Sequence, residues 1–240
     1  MLHSSDNRLV LVLAGIASAF VSFVSYFAVW ASSLALYEMP FAKDLESHAF
    51  AVWFGSRLLT LALFLLFAMP LWLGMYRMAI CMADGYSVGL EALFHYIRSG
   101  ELYARALGIS LRLLIYWLPA LVGLLVLQLL FAFDLIGFLL VCFFAITLVL
   151  SLLLVSSLGG FVTAALTDDS ISLDLAKRTA ASSMAGERMC VFRFYLGTAC
   201  RILLSLLPAG VIFMLHTLPA SMLSAVCYSR RMAARENNDF

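Results

Sequence analysis

Long apolar runs separated by short polar segments dominate this chain. The runs predict helices over 9–37, 49–78, 102–133, 135–166, 190–207 and 211–228. A helix that crosses a membrane needs about 20 mainly apolar residues, and the first four runs exceed that length. Pro208 and Gly210 separate the last two, which are shorter. A re-entrant pair is therefore the alternative to two full spans there.

Two of the polar segments predict short amphipathic helices. Ser87 is a candidate N-cap for a helix over 88–98, and Ser172 is a candidate N-cap for a helix that contains Lys177 and Arg178. Such a pattern suits helices that lie at a membrane surface. In the first of these helices, the apolar positions Leu90, Leu93, Phe94 and Ile97 oppose the polar positions Glu91, His95 and Arg98.

Small residues and one proline add local detail to the first two spans. Gly15, Ser18, Ser22 and Ser25 lie three or four residues apart, so they share one face of the first helix. Small residues let helices approach closely in lipid, and we expect this face to pack against another helix. Pro70 is expected to bend the second helix.

Composition narrows the class of protein. Hydrophobic residues make up 64% of the chain and charged residues 12%, with a mean hydropathy of +1.03. Soluble domains average roughly 45–50% apolar and about 25% charged residues. A net charge of +1 without a basic stripe argues against nucleic-acid binding. The sequence therefore predicts an all-α, polytopic transmembrane bundle with six spans and two amphipathic helices on the cytoplasmic face.

The lysines and arginines predict the orientation of this bundle. With the N-terminus inside, Lys43 alone faces outward. The cytoplasmic side then holds Arg8, Arg77, Arg98, Arg105, Lys177, Arg178, Arg188, Arg193, Arg230, Arg231 and Arg235. Positive charge is retained on the cytoplasmic side, so both termini are expected in the cytoplasm of a multi-pass inner-membrane protein. The apolar run from Leu9 is too long for a signal-peptide core and is expected to remain as the first span.

A pair of similar motifs predicts an internal repeat. Arg112 and Pro119 recur as Arg201 and Pro208, 89 residues later, and each pair follows a Gly-Glu sequence. The segment from Asp84 to Leu90 also resembles the segment from Asp169 to Leu175. We interpret the pattern as a parallel duplication within one integral membrane domain, 1–240; chance similarity between leucine-rich segments is the alternative. The repeat units are about 50–133 and 135–207, flanked by helices 9–37 and 211–228.

The second unit also resembles a known family. Residues 169–188, with Phe192 and the closing Ala225-Val-Cys-Tyr228, resemble an uncharacterised bacterial family of six-helix membrane proteins. That family is similar in layout to the membrane domain of some glycerophosphodiester phosphodiesterases. The resemblance extends over about 50–228, and it departs from the family at Thr198-Ala199 and Pro219-Ala220. It implies a bacterial plasma membrane and the same fold, without an established activity.

Four polar residues within the predicted spans are candidate sites: Arg57, Arg112, Arg201 and His216. Each arginine lies in the N-terminal half of its span, and helical side chains lean toward the N-terminus. We expect these side chains to reach the nearer interface or to bond carbonyl groups. Contact with anionic lipid and a solute path are the alternatives. For His216 we expect hydrogen-bonded packing, because no partner with metal-ligand spacing accompanies it.

Catalytic motifs are missing from the sequence. It contains no GxSxG, HExxH or glycine-rich phosphate loop, and its five cysteines lie in or beside apolar runs without CxxC spacing, as small packing residues do. We therefore expect no enzyme, cofactor or metal. The leading hypothesis is a membrane scaffold or accessory protein that contacts the bilayer, anionic lipid or a membrane-protein partner. The alternative is a small transporter or permease component, which the parallel repeat and its prolines suggest.

Overall fold

The computed structural model describes residues 4–38, 46–131, 160–183, 188–206 and 218–238, and all regular structure in these ranges is helical. This confirms the all-α prediction. The α-helices are α1 Ser4–Glu38, α2 Glu46–Leu63, α3 Met69–Ala83, α4 Gly100–Phe131, α5 Phe161–Thr167, α6 Leu173–Ser183, α7 Arg188–Leu206 and α8 Leu218–Asn238. A π-helical turn, Phe64–Ala68, joins α2 to α3, and a 3₁₀ helix covers Leu90–Ile97.

Two stretches within the described ranges are long and apolar enough to cross a membrane. They are Leu9–Ser32 in α1 and Phe54–Ala83, which runs through α2, the π turn and α3. The chain divides into two compact units, Met1–Leu107 and Gly108–Phe240. The segments 135–159 and 207–217, which are parts of the predicted spans and include Pro208, Gly210 and His216, lie outside the described residues.

The small-residue face of α1 packs within the first unit, as predicted. Ser18 is fully buried, and the indole Nε1 of Trp72 on α3 donates to the Ser22 hydroxyl at 3.2 Å. Ser18 also donates to the Ala14 carbonyl, one turn earlier, at 2.9 Å. This bond satisfies the hydroxyl donor, so the serine can face another helix without an unpaired proton.

Pro70 lies near the start of α3 and is preceded by a wider turn. The Met69 amide bonds to the Phe64 carbonyl, five residues back, instead of four. A proline ring clashes with the carbonyl four residues earlier in a regular α-helix. A single π turn is a usual way to accommodate a local break in the ladder. The chain therefore remains helical from Glu46 to Ala83.

The amphipathic helix predicted over 88–98 with Ser87 as N-cap is a 3₁₀ helix instead. Gly89 occupies the N-cap position in an extended conformation, without a side-chain cap. In a 3₁₀ helix, residues three apart are eclipsed, so Leu93 and Tyr96 both face inward and are fully buried. An added Cβ at Gly74 on α3 would overlap the Leu93 carbonyl oxygen. The close backbone approach at this glycine therefore fixes the segment against α3.

In the second unit, α6 begins where the sequence predicts. The Ser172 hydroxyl accepts a bond from the Leu175 amide at 3.3 Å, and its carbonyl accepts one from the Ala176 amide at 3.0 Å. Ser172 is thus the N-cap, as expected. The inner side of α6 buries Ala176 and Ala180, and α6 packs against both α5 and α8.

One helix boundary and two cysteines differ from expectation. The predicted last span ends at Tyr228, whereas α8 continues to Asn238. Hydropathy marks where apolar sequence stops, but Arg, Met, Ala and Glu are good helix formers, so the helix continues into polar sequence. Cys190 and Cys227 are exposed instead of packed inside the chain, since each lies on an outward-facing helical position. The prediction that α4 continues past Pro119 is confirmed, because α4 extends to Phe131.

Candidate functional site

The four candidate residues from the sequence have different outcomes. Arg57 is half-buried in the first unit, and Arg112 is half-buried on α4 in the second. The backbone of Arg201 belongs to α7, but its side chain lies outside the described part of the chain. His216 lies outside it entirely. Arg112 is therefore the candidate around which a site can be built.

Arg112 forms an ion pair with a residue that the sequence did not suggest. Its Nη2 donates to Oδ1 of Asp174, in the first turn of α6, at 2.7 Å. Asp174 belongs to the amphipathic helix that the sequence predicts at the membrane surface, and 62 residues separate it from Arg112. A charged arginine in an apolar helix is thus neutralised by a neighbouring helix.

Two further contacts place α6 along α4. A Cβ added at Gly108 would lie 2.9 Å from Cδ1 of Leu173, and the Lys177 ammonium lies 5.8 Å from the centre of the Tyr116 ring. The α4 positions 108, 112 and 116 are four apart and form one stripe. Their partners are Leu173, Asp174 and Lys177, so this stripe contacts the first half of α6. We call Arg112, Tyr116, Asp174 and Lys177 the α4–α6 polar contact.

The geometry of the ion pair leaves part of the guanidinium unused. Side-chain exposure is 32% for Arg112 and 78% for Asp174. Exposed pairs in water contribute only about 0–1 kcal/mol, so this pair alone is a weak clamp. Nη1 of Arg112 is shielded from solvent and has no hydrogen-bond acceptor among the described residues. The pair is therefore not the bidentate fork that arginine and carboxylate can form.

An apolar stripe on α4 runs beside the polar contact. Its residues are four, three and four positions apart, which places them on one side of a helix. Each is about half exposed or more, so the chain itself leaves this stripe uncovered. The stripe consists of Leu111, Ile115, Leu118 and Val122, with exposures of 57%, 60%, 51% and 49%.

A second uncovered surface lies on the 3₁₀ helix of the first unit. Phe94 and Ile97 are exposed on one side of this helix, Leu90 is exposed at its first residue and Tyr86 just before it, and we call these four exposed side chains the 3₁₀ apolar face. The opposite side of this segment is firmly held. There Leu93 is buried, and the buried Tyr96 contacts Arg77 through its hydroxyl oxygen at 3.4 Å and its ring at 6.0 Å.

A cavity of about 260 Å³ lies between α5, α6 and α8. Several hydroxyl residues line it, and most of their protons are used within their own helices, while the Ser229 hydroxyl lies 2.9 Å from that of Thr163 on another helix. Thr167 donates to the Thr163 carbonyl at 2.7 Å, and Thr179 donates to the Leu175 carbonyl at 3.0 Å. Methyl groups and hydroxyl groups that already donate hydrogen bonds therefore form most of the cavity wall, which is mainly apolar. Small-molecule sites usually measure about 300–1,000 Å³, so the cavity is small for a binding pocket.

The described residues include no cluster of three or more His, Cys, Asp or Glu side chains that could hold a metal ion. Comparison with known proteins gives no further constraint: no family model, curated protein or solved structure matches the chain. The family resemblance of residues 169–188 therefore stays an expectation. The features of the described residues that bear on function are the apolar stripe on α4, the 3₁₀ apolar face and the α4–α6 polar contact.

Proposed function

We propose that this protein is a non-enzymatic scaffold or accessory protein of the bacterial inner membrane, acting through contacts with lipid or a membrane partner. The 3₁₀ apolar face is the observation that best supports this proposal. The candidate span Phe54–Ala83 ends three residues before Tyr86, and α4 begins soon after Ile97. The face therefore belongs to a short connection at the end of an apolar helix.

The chemistry of this connection fits the boundary between lipid and water. Phe94 and Ile97 are each 46% exposed, although the residue directly before each of them in the sequence is buried. Clustered apolar side chains on a soluble surface usually mark an interaction site. Glu91, at the start of the side that Phe94 and Ile97 share, pairs at 3.4 Å with Arg98, the residue that follows the helix, and both side chains are exposed. Such a segment can insert apolar side chains below the headgroups while its charges remain hydrated.

The full topology is part of the proposal. Six spans, a parallel repeat and two cytoplasmic termini are inferred from the apolar runs and from the distribution of lysine and arginine. The structure contributes the two candidate spans and the all-helical fold. The transporter alternative stays a prediction from the sequence, where the parallel repeat and its prolines suggest it.

Two linked measurements test this proposal. The chain should remain in the membrane pellet after an alkaline carbonate wash, which releases peripheral proteins. Native mass spectrometry of the detergent-purified chain, with crosslinking in intact cells, should then find retained phospholipid or a membrane-protein partner. Release by carbonate would refute the membrane location. Retention without any bound lipid or crosslinked partner would refute the scaffold role.

A further inference from the structure

We propose that the α4–α6 polar contact binds a phosphate diester, which carries one negative charge, as the headgroup of an anionic phospholipid. This inference rests on the proposed membrane location and names a partner for it. Three observations support the site: its depth along α4, its charge, and the apolar stripe beside it.

The proposed topology makes α4 a membrane span, and the depth of Arg112 then follows from helix length. Residues 113–131 of α4 extend about 28 Å at about 1.5 Å per residue, and the hydrocarbon core of a bilayer is about 30 Å thick. If Phe131 lies at the far boundary, Arg112 lies at the near one. The side chain then stands at the level of phosphate groups, and the first turns of α4, which include Glu101, project beyond the hydrocarbon.

The charge at the contact fits a monoanion. Arg112 and Lys177 contribute two positive charges and Asp174 contributes one negative charge, leaving one net positive charge. Lys177 is exposed, so its ammonium is open to a ligand. Arginine has five donors, and only Nη2 is engaged with Asp174. A turn of the guanidinium would present both terminal nitrogens to phosphate oxygens, a geometry that arginine favours.

The apolar stripe on α4 favours a lipid over free phosphate. Ile115, Leu118 and Val122 continue from the level of Arg112 toward the C-terminal half of α4. A headgroup at Arg112 and Lys177 would therefore have its acyl chains along exposed side chains of the same helix. Asp174 acts as the resting counter-ion, which holds Arg112 until a phosphate competes for it.

Lipid preference is the direct test. The full chain is placed in nanodiscs containing equal phosphatidylglycerol and phosphatidylcholine with identical acyl chains, and the retained lipids are counted by native mass spectrometry. The wild-type chain should prefer phosphatidylglycerol. Arg112→Gln and Lys177→Gln should each reduce that preference about fivefold, because a basic side chain near an anionic surface contributes about 1 kcal/mol. Arg98→Gln is the comparison, since it removes an exposed arginine from another carboxylate pair outside the site, and its loss of preference should be clearly smaller than that of either site variant.

Asp174→Asn separates ligand binding from a purely structural pair. Removing the competing carboxylate should increase the phosphatidylglycerol preference, whereas a structural ion pair would give lower thermal stability and an unchanged preference. An unchanged preference in Asp174→Asn and Lys177→Gln would overturn the inference. Lys177 lies on the exposed side of α6, so the Lys177→Gln variant is expected to fold normally. Its lipid preference can therefore be interpreted without a change in stability.

Two further outcomes distinguish the sources of phosphate and the two proposals. In nanodiscs of phosphatidylcholine alone, inorganic phosphate should raise the melting temperature of the wild-type chain no more than that of Lys177→Gln. Stabilisation by inorganic phosphate that depends on Lys177, without a preference for phosphatidylglycerol, would overturn the lipid assignment. Failure to enter nanodiscs would refute the membrane location itself, whereas entry without lipid preference would refute only the headgroup site.

Discussion

The hydroxyl of Tyr103 donates to the carbonyl oxygen of Leu66 at 2.8 Å. Leu66 lies four residues before Pro70, the position whose carbonyl a proline cannot bond in an α-helix because it has no amide proton. The tyrosine therefore supplies a donor at the point where the proline removes one. This bond joins the start of α4 to the π turn within the first unit, and it explains how an apolar helix retains a proline without leaving this carbonyl unpaired.

Tyr103→Phe should lower the free energy of unfolding by about 1 kcal/mol, the usual net contribution of one hydrogen bond. The phenyl ring would keep its packing, so the loss reports the hydroxyl alone. Unfolding by sodium dodecyl sulfate in mixed micelles, followed by circular dichroism, measures it. Tyr86→Phe is the control, because Tyr86 is 67% exposed and should unfold like the wild type. Equal losses in both variants would contradict the assignment.

Gly74→Ala should separate the 3₁₀ helix from α3. The added methyl would overlap the Leu93 carbonyl oxygen, and backbone cannot yield as a flexible side chain can. Overpacking of this kind typically costs about 1–3 kcal/mol. We expect a lower melting temperature and faster tryptic cleavage at the exposed Arg98. Gly55→Ala, which meets nothing within 4 Å, is the matched control and should be neutral or stabilising. A melting temperature of Gly74→Ala equal to that of the control would rule out the close approach.

Ser172→Ala should destabilise α6 by about 1 kcal/mol, since it removes an N-cap. Hydrogen exchange at the Leu175 amide, which loses its acceptor, should become faster. Ser87→Ala should leave both stability and exchange unchanged, because Gly89 is the N-cap of the 3₁₀ helix. The proposed internal repeat would make these two serines equivalent, so similar losses in both variants would favour that equivalence and contradict the different caps of the two helices.

Hydropathy was sufficient to predict the helical class of this protein and most helix bounds. The small-residue face of α1 and the cap at Ser172 were also predictable, because both depend on residues within a few positions of each other. The end of α8 was missed, because helix propensity continues past the apolar residues that define a span.

The features that fix the candidate sites depend on contacts between distant residues. The close approach of the Leu93 backbone to Gly74 places the 3₁₀ helix against α3, and no local pattern contains this contact. The same is true of the pairing of Arg112 with Asp174 across 62 residues. The sequence predicted that Arg112 reaches the nearer interface or bonds carbonyl groups, and its pairing with a carboxylate depends on the contact between α4 and α6.

Lipid contact at position 94 tests the central claim most directly. The photo-crosslinking residue p-benzoylphenylalanine would replace Phe94 in one variant and Arg98 in another, and intact membranes would be irradiated before mass analysis. Both positions are exposed on the 3₁₀ helix, but only Phe94 belongs to the 3₁₀ apolar face. We predict abundant phospholipid adducts at position 94 and few at position 98. Adducts to polypeptide alone, or equal and low lipid adducts at both positions, would contradict the insertion of this face into the membrane.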